Sequence, residues 1–137
     1  MASYYLDTSA LVKRYAREQG TAWIIGLVRG HDVYTARITG PELIAALTRK
    51  VHTGGLQAAD ATHAARAFRG HWQRRYSIVE VTEVVTDRAM DLAAAHGLRG
   101  YDAVQLASAL VVEDVRAPRV CPRLHSSRRT MRNGWRR

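Results

Sequence analysis

The stretch YYLDTSALVKRY, residues 4–15, decides the fold that the sequence predicts. Its apolar start belongs to a predicted buried strand over residues 3–6, and an amphipathic helix is expected over residues 9–18. Asp7 lies between these two elements. In a parallel sheet the reactive crevice lies outside the carboxyl ends of the strands, so Asp7 is a candidate functional residue.

Short apolar runs alternate with helical patterns along most of the remaining chain. The patterns predict strands at 33–35 and 78–81, and helices at 21–28, 39–51, 57–75, 87–96 and 101–112. Gly97 is expected to end the helix that precedes it. Strands that alternate with helices predict a parallel sheet covered on both faces and joined by right-handed crossovers. The predicted fold class is therefore α/β, with one domain over residues 1–115.

The excess of positive charge lies in the last part of the chain. The 137 residues carry a net charge of +9, which on its own suggests a nucleic-acid-binding protein. Eight arginines and no acid fall within residues 116–137, which leaves thirteen basic residues against all twelve acids in residues 1–115, a net charge of +1. We expect residues 116–137 to form a basic, disordered tail, because like charges repel and little apolar area is present.

The sequence indicates neither a membrane segment nor a secretory signal. No stretch approaches the roughly 20 apolar residues that span a membrane, and the first three residues do not open a basic region followed by an apolar run. The single cysteine, Cys121, cannot form a disulfide within the chain, which favours a reducing compartment. We therefore expect a cytoplasmic protein that does not bind membranes.

Three acids fall at or just before the first turn of a predicted helix. Asp7 follows the first strand, Glu42 lies in TGPELIAAL, and Asp102 lies in LRGYDAVQLASAL. Each acid also has a simpler explanation. Asp7 fits a helix N-cap, Glu42 fits a capping box with Thr39, and Asp102 fits the positive end of a helix dipole.

Together the three acids form a candidate metal site, because helices that start at the same end of a sheet can bring their first turns to one crevice. Mg²⁺ prefers oxygen ligands and is typically held by carboxylates together with water and phosphate oxygens. Thr8 and Ser9 can orient Asp7 through hydrogen bonds, although both are also ordinary residues for a helix start.

The same stretches resemble the PIN-domain ribonucleases, specifically the VapC-type toxins of bacterial and archaeal toxin–antitoxin pairs. YYLDTSALVKRY, ITGPELIAALTRK and LRGYDAVQLASAL match the motifs of that family in order, so the resemblance covers residues 3–112. It implies a three-layer α/β/α sandwich with a central parallel sheet. It also implies that Asp7, Glu42 and Asp102 are catalytic residues that bind Mg²⁺, or Mn²⁺ in its place. The further implications are cleavage of RNA phosphodiesters, inhibition by a cognate VapB-type antitoxin, and homodimers.

The chain departs from that family after residue 115. The family supplies a fourth acid on a last strand, whereas residues 116–137 contain no acid and no strand pattern. Because this ending resembles a translation out of frame, the sequence does not predict the C-terminal strand, and we expect reduced activity. The alternative hypothesis is a catalytically impaired PIN-like module that binds RNA or an antitoxin without cutting. Metal-dependent cleavage that a chelator removes would distinguish the enzyme from the binding module.

Overall fold

A parallel sheet of three strands lies within residues 2–117, the part of the chain that the computed structural model describes. Strand β1 (Ser3–Tyr5) pairs with β2 (Asp32–Ala36), and β2 pairs with β3 (Tyr76–Val79). The strand order is β1-β2-β3, so β2 is the middle strand. All three strands run in the same direction, and their carboxyl ends therefore meet at one end of the sheet.

Helices follow and separate these strands on both sides of the sheet, which confirms the predicted α/β fold. They are α1 (Thr8–Val12), α2 (Thr21–Val28), α3 (Thr39–His52), α4 (Ala58–Arg74), α5 (Glu83–His96) and α6 (Gly100–Arg116). The predicted bounds of α2 agree with the structure, and those of α3 and α4 agree within one residue at each end. No helix in the described part of the chain is long and apolar enough to cross a membrane.

Two hydrophobic clusters hold these elements together. The larger one joins α1, α2, α3 and α4 to the sheet, and its most buried large side chains include Leu11, Ile24, Leu43 and Phe68. The smaller cluster lies between α5 and α6 and is built around Val85, Ala89, Ala103 and Ala107. Small alanine side chains allow two helices to pack closely, and Ala103 brings this packing to the first turn of α6. The packing therefore holds the residues at the start of α6 in place.

Helix α1 is shorter than the sequence pattern predicts. It ends at Val12, and the following residues form turns in which Tyr15 N–H donates to the Val12 carbonyl at 2.9 Å. The Tyr15 ring packs edge-on against Phe68 of α4, and its hydroxyl lies 2.8 Å from Nδ1 of His71. We infer that these contacts with α4 end the helix early, because they outweigh a helical pattern that is purely local.

The bounds of three other elements differ from the prediction by more than one residue. Strand β3 begins at Tyr76 and ends at Val79, two residues earlier than expected, and α6 continues to Arg116. Helix α5 begins at Glu83 because the Thr82 hydroxyl caps it by accepting from the Val85 N–H. The predicted end of α5 is confirmed, since Gly97 follows it with φ 64°, a conformation that favours glycine.

The predicted basic tail falls almost wholly outside the described residues. Of residues 116–137, the structure describes only Arg116, which ends α6, and Ala117. Cys121, and the segment in which the family has its last strand and fourth acid, lie outside the described range.

Candidate functional site

A chain of buried polar side chains lies at the carboxyl end of β2. Thr35 and Thr39 are fully buried, and the Thr35 hydroxyl donates to Thr39 Oγ1 at 2.8 Å. Gln105 of α6, only 7% exposed, donates from Nε2 to the same Thr39 oxygen at 2.9 Å. Buried polar groups need hydrogen-bond partners, so these contacts fix α3 and α6 to the end of the middle strand.

Gln105 connects four elements of the fold through its amide group. Its Oε1 accepts from the Tyr5 hydroxyl at 2.5 Å, while Nε2 lies 3.2 Å from Thr8 Oγ1 and 3.2 Å from Glu42 Oε1. A carboxylate can only accept, so the amide nitrogen must be the atom that faces Glu42. Two N–H protons serve the oxygens of Thr8, Thr39 and Glu42, so at least one proton is shared.

The Tyr5 hydroxyl is suited to its role as a donor to Gln105. Burial raises the pKa of Tyr5 to about 12, against an ordinary value of 10.0, so the hydroxyl keeps its proton at physiological pH. The contact joins β1 to α6 across 100 positions of sequence. It therefore links the strand that precedes Asp7 to the helix that carries Asp102.

Asp7 forms the N-cap of α1. Its Oδ1 accepts from the Ala10 N–H at 2.8 Å and from the Ser9 hydroxyl at 2.9 Å. Within residues 2–117 the other carboxylate oxygen, Oδ2, takes part in no hydrogen bond. Capping and ligand binding are therefore compatible at Asp7, because they use different oxygens.

Thr8 makes different contacts from those expected. Its hydroxyl lies 3.5 Å from Thr39 Oγ1 and accepts from Gln105, whereas only Ser9 of the predicted pair contacts Asp7. Thr8 thus connects α1 to the buried polar chain, and the expectation that it orients Asp7 by a hydrogen bond is not met.

Glu42 is not part of a capping box. The N-cap of α3 is Ile38, which has no side-chain acceptor, and Thr39 is already helical. Burial of the Thr39 hydroxyl against Thr35 and Gln105 prevents it from capping α3. The Glu42 carboxylate accepts from Gln105 instead, so the capping explanation for this acid is wrong.

The three candidate acids line two different cavities, which share no lining residue in the described part of the chain. Asp7 and Asp102 line one of about 460 Å³, which Tyr5 and Gln105 also border. Glu42 lines the other, of about 480 Å³, together with Thr8 and Tyr101. The structure therefore brings Asp7 and Asp102 to one cavity and places Glu42 in another, and Gln105, which lines the first cavity, contacts Glu42.

The donor chemistry of these residues fits a hard divalent cation. Carboxylate oxygens are the protein ligands that Mg²⁺ prefers, and Asp7 has one such oxygen without a hydrogen bond in the described chain. Within residues 2–117, however, no three His, Cys, Asp or Glu side chains lie close enough together to hold one ion. The Glu42 carboxylate accepts from Gln105 and lines a different cavity from the two aspartates.

Gln105 was not predicted from the sequence as a functional residue. The signal that could have indicated it is a polar residue in the apolar run AVQLASAL, three positions after Asp102 and hence on the same helical face. Helix α6 thus contributes both an acid and the amide that holds a second acid.

Replacing Gln105 with leucine is expected to lower the free energy of unfolding by about 1–3 kcal/mol, because the Tyr5 hydroxyl loses its acceptor and Thr8 loses a donor. Urea denaturation measures the change. Gln73→Leu on the exposed surface of α4 is the matched control, and its free energy of unfolding should fall much less. Equal losses in the two variants would contradict the role assigned to Gln105.

Comparisons with known proteins identify similar sequences and a similar fold. The family model for the PIN domain matches residues 4–114. Ribonuclease VapC45 of Mycobacterium tuberculosis strain CDC 1551 / Oshkosh and Ribonuclease VapC49 of strain ATCC 25618 / H37Rv are each 38% identical over 115 residues. Each match covers 83% of this chain and 79% of the relative.

Among solved structures, the crystal structure of VapBC2 from Rickettsia felis bound to a DNA fragment from their promoter contains a similar chain. The TM-score is 0.56 at 13% sequence identity, and the match covers 82% of this chain and 83% of that one. At this identity the comparison supports the fold alone.

Proposed function

The chain belongs to the PIN-domain family, in its VapC branch, and on that premise we propose that it is the ribonuclease toxin of a toxin–antitoxin pair. In this proposal it hydrolyses phosphodiester bonds of RNA in the cytoplasm. One observation carries the assignment of the site: Asp7 and Asp102, far apart in sequence, line the same cavity at the carboxyl end of the sheet.

In the proposed mechanism Asp7, Asp102 and Glu42 would hold Mg²⁺ or Mn²⁺, which would supply a water activated for attack and would neutralise charge that develops on the phosphate. Ser9 and the Ala10 N–H fix the Asp7 carboxylate through Oδ1 and leave Oδ2 to serve as a ligand. Gln105, which lines the cavity of the two aspartates, holds Glu42 through a hydrogen bond. The proposal requires the Glu42 side chain to rotate toward the aspartates when the ion binds.

Asp102 occupies the first turn of α6, where the positive end of the helix favours negative charge. The Arg99 N-cap makes no side-chain hydrogen bond to that turn. The packing of α6 against α5 fixes this end of the helix, so Asp102 is presented from a rigid element. Rigid placement of ligands lowers the cost of organising the site for reaction.

Cleavage of a labelled single-stranded RNA tests the proposal most directly. The purified chain should produce discrete fragments with Mg²⁺ present, and sequencing of the fragment ends would define the cleavage positions.

A second candidate function is binding of RNA without cutting. It is favoured by the absence of three clustered acids within residues 2–117. A shifted but intact RNA in a gel would support this second function.

We also propose that a VapB-type antitoxin inhibits the chain and that the chain forms homodimers. Family membership supports both partners, and the carboxylates of the site offer binding positions for a cationic inhibitor side chain such as arginine.

Co-expression with the product of a small upstream reading frame is expected to yield one complex in which cleavage is suppressed. Size-exclusion chromatography and a cleavage assay would measure both effects. Cleavage that continues at an unchanged rate with a molar excess of that product would contradict the antitoxin proposal. The mass of the isolated chain in light scattering tests the homodimer.

A further inference from the structure

The cavity beside Glu42 has features that the proposed cleavage reaction does not use. It is about 480 Å³ in volume, which is within the range of pockets that hold small ligands. One wall is a stripe on α3 formed by Glu42, Ala45 and Arg49, and Tyr101 at the start of α6 forms the other.

Two residues that line this cavity are next in sequence to the two aspartates that line the other. Thr8, which lines it, follows Asp7 in the sequence, and Tyr101 precedes Asp102. A polymer bound with its scissile phosphate at Asp7 and Asp102 therefore has this cavity as a neighbouring position for the next unit of its chain.

Tyr101 is a large aromatic residue in an exposed position. Its side chain is 67% exposed, and it forms none of the aromatic pairs found among residues 2–117. Aromatic rings that lie open in this way beside a nucleic-acid site commonly stack on unpaired bases. The ring thus provides a face for a base at the mouth of the cavity.

Arg49 supplies a positive charge at the other end of the α3 stripe. It lies seven residues after Glu42, which is roughly 10 Å along the helix. Its exposed guanidinium makes no salt bridge in the described chain, whereas its neighbour Lys50 pairs with Glu18 at 2.8 Å. Arginine binds phosphate through two parallel N–H groups, so an anion suits this position.

We propose that this cavity is a subsite for one nucleotide of single-stranded RNA, with its base stacked on Tyr101 and its phosphate bound by Arg49. The proposal rests on the proposed function and extends it by naming where the RNA beside the scissile phosphate lies. Stacking tolerates any base, so the subsite fixes the path of the strand without selecting a particular sequence.

A protein partner is less well suited to this cavity than to the one on the other side of Tyr101. This further cavity lies between α5 and α6. Tyr101 lines it too, but most of its other lining residues are apolar, such as Met90, Ala93 and Val104. An apolar helix would cover those side chains, whereas the cavity beside Glu42 pairs an acid with an arginine. RNA accounts for both the aromatic ring and the cation.

The test measures binding of fluorescent single-stranded RNA by anisotropy in an Asp7→Asn background, where the RNA stays intact. Tyr101→Ala should weaken binding roughly 5- to 150-fold, and Tyr101→Trp should retain it, because tryptophan also stacks. Trp23→Ala is the matched control, since Trp23 is also 67% exposed but lies on α2 outside both cavities. Light scattering and thermal unfolding check that each variant keeps its mass and its fold.

Arg49→Gln gives an independent measurement. The logarithm of the binding constant decreases linearly with the logarithm of the salt concentration. In Arg49→Gln the magnitude of this slope should fall by about 0.7, the value for one lost phosphate contact on a single strand. Arg29→Gln, at the exposed end of α2 near the start of β2, should leave the slope unchanged.

The outcomes separate the subsite from the proposed function. If the parent chain cuts RNA but Tyr101→Ala binds as tightly as its Asp7→Asn background, or no more weakly than Trp23→Ala, the subsite is wrong and the function stands. If Tyr101→Ala changes only the oligomeric mass, Tyr101 serves an interface between copies and the subsite is again wrong. If the parent neither cuts nor binds RNA, both proposals fail.

Discussion

Asp7→Asn is expected to reduce RNA cleavage more than about 100-fold while the fold stays intact, since loss of a partner that only supports a metal ligand already costs roughly 10–100-fold. Asparagine has the size of aspartate but lacks the negative charge that a hard cation requires. It also caps helices about as well as aspartate, so the Ala10 N–H keeps its acceptor. Single-turnover cleavage rates and thermal unfolding measure the two effects separately.

Asp32→Asn is the matched control for that experiment. Asp32 is exposed and begins β2, so it lies at the end of the sheet opposite to Asp7. The control variant should cut RNA at the parental rate. If Asp7→Asn also cuts at that rate, Asp7 is not a ligand and the assignment of the site is wrong. If both variants lose activity equally, the loss results from the change in the net charge of the protein and not from a role of Asp7 in the cavity.

Removal of divalent cations is expected to abolish cleavage, and addition of Mg²⁺ or Mn²⁺ to restore it. Because an ion that binds only the folded chain stabilises it, a concentration of 100 times Kd should add about 2.7 kcal/mol to the free energy of unfolding. The rise in melting temperature with Mg²⁺ reports binding without any need for catalysis. Sodium chloride at equal ionic strength controls for screening.

The same titration in Asp7→Asn locates the ion. A ligand set without Asp7 should bind Mg²⁺ more weakly, so the melting temperature should rise much less than in the parent. An equal rise in both proteins would place the ion elsewhere. Cleavage that persists in excess chelator would show that the chain does not depend on a metal. If the fourth acid of the family is missing, millimolar Mg²⁺ should be needed for full activity.

Local sequence patterns were sufficient to predict the fold. Alternating strands and helices led to the parallel sheet, and the order strand, acid, helix placed Asp7 at the carboxyl end of β1. Both inferences depend on residues that are close in sequence. The end of α5 at Gly97 was predictable for the same reason, because one residue with positive φ is enough to stop a helix.

The features that sequence could not predict depend on contacts between distant segments. Thr39 and Glu42 match a capping box locally, but the Thr39 hydroxyl is taken by Gln105, which lies 66 positions further along. Helix α1 ends early where Tyr15 contacts Phe68 of α4. The arrangement of the acids in two cavities follows from the same contacts, so the pattern of acids alone could not give it.

The contact between Tyr5 and Gln105 also sets the earliest point at which a newly synthesised chain can form the proposed site. The ribosome must synthesise the 100 positions that separate these residues before the contact can form, which takes roughly 5–20 s at common rates of translation. Asp102 and Gln105 are both on α6, so a nascent chain that ends before this helix lacks one acid and the amide that holds another. The proposed site therefore cannot assemble until α6 has been synthesised, and a nascent chain that is still short of α6 lacks Asp102 and Gln105.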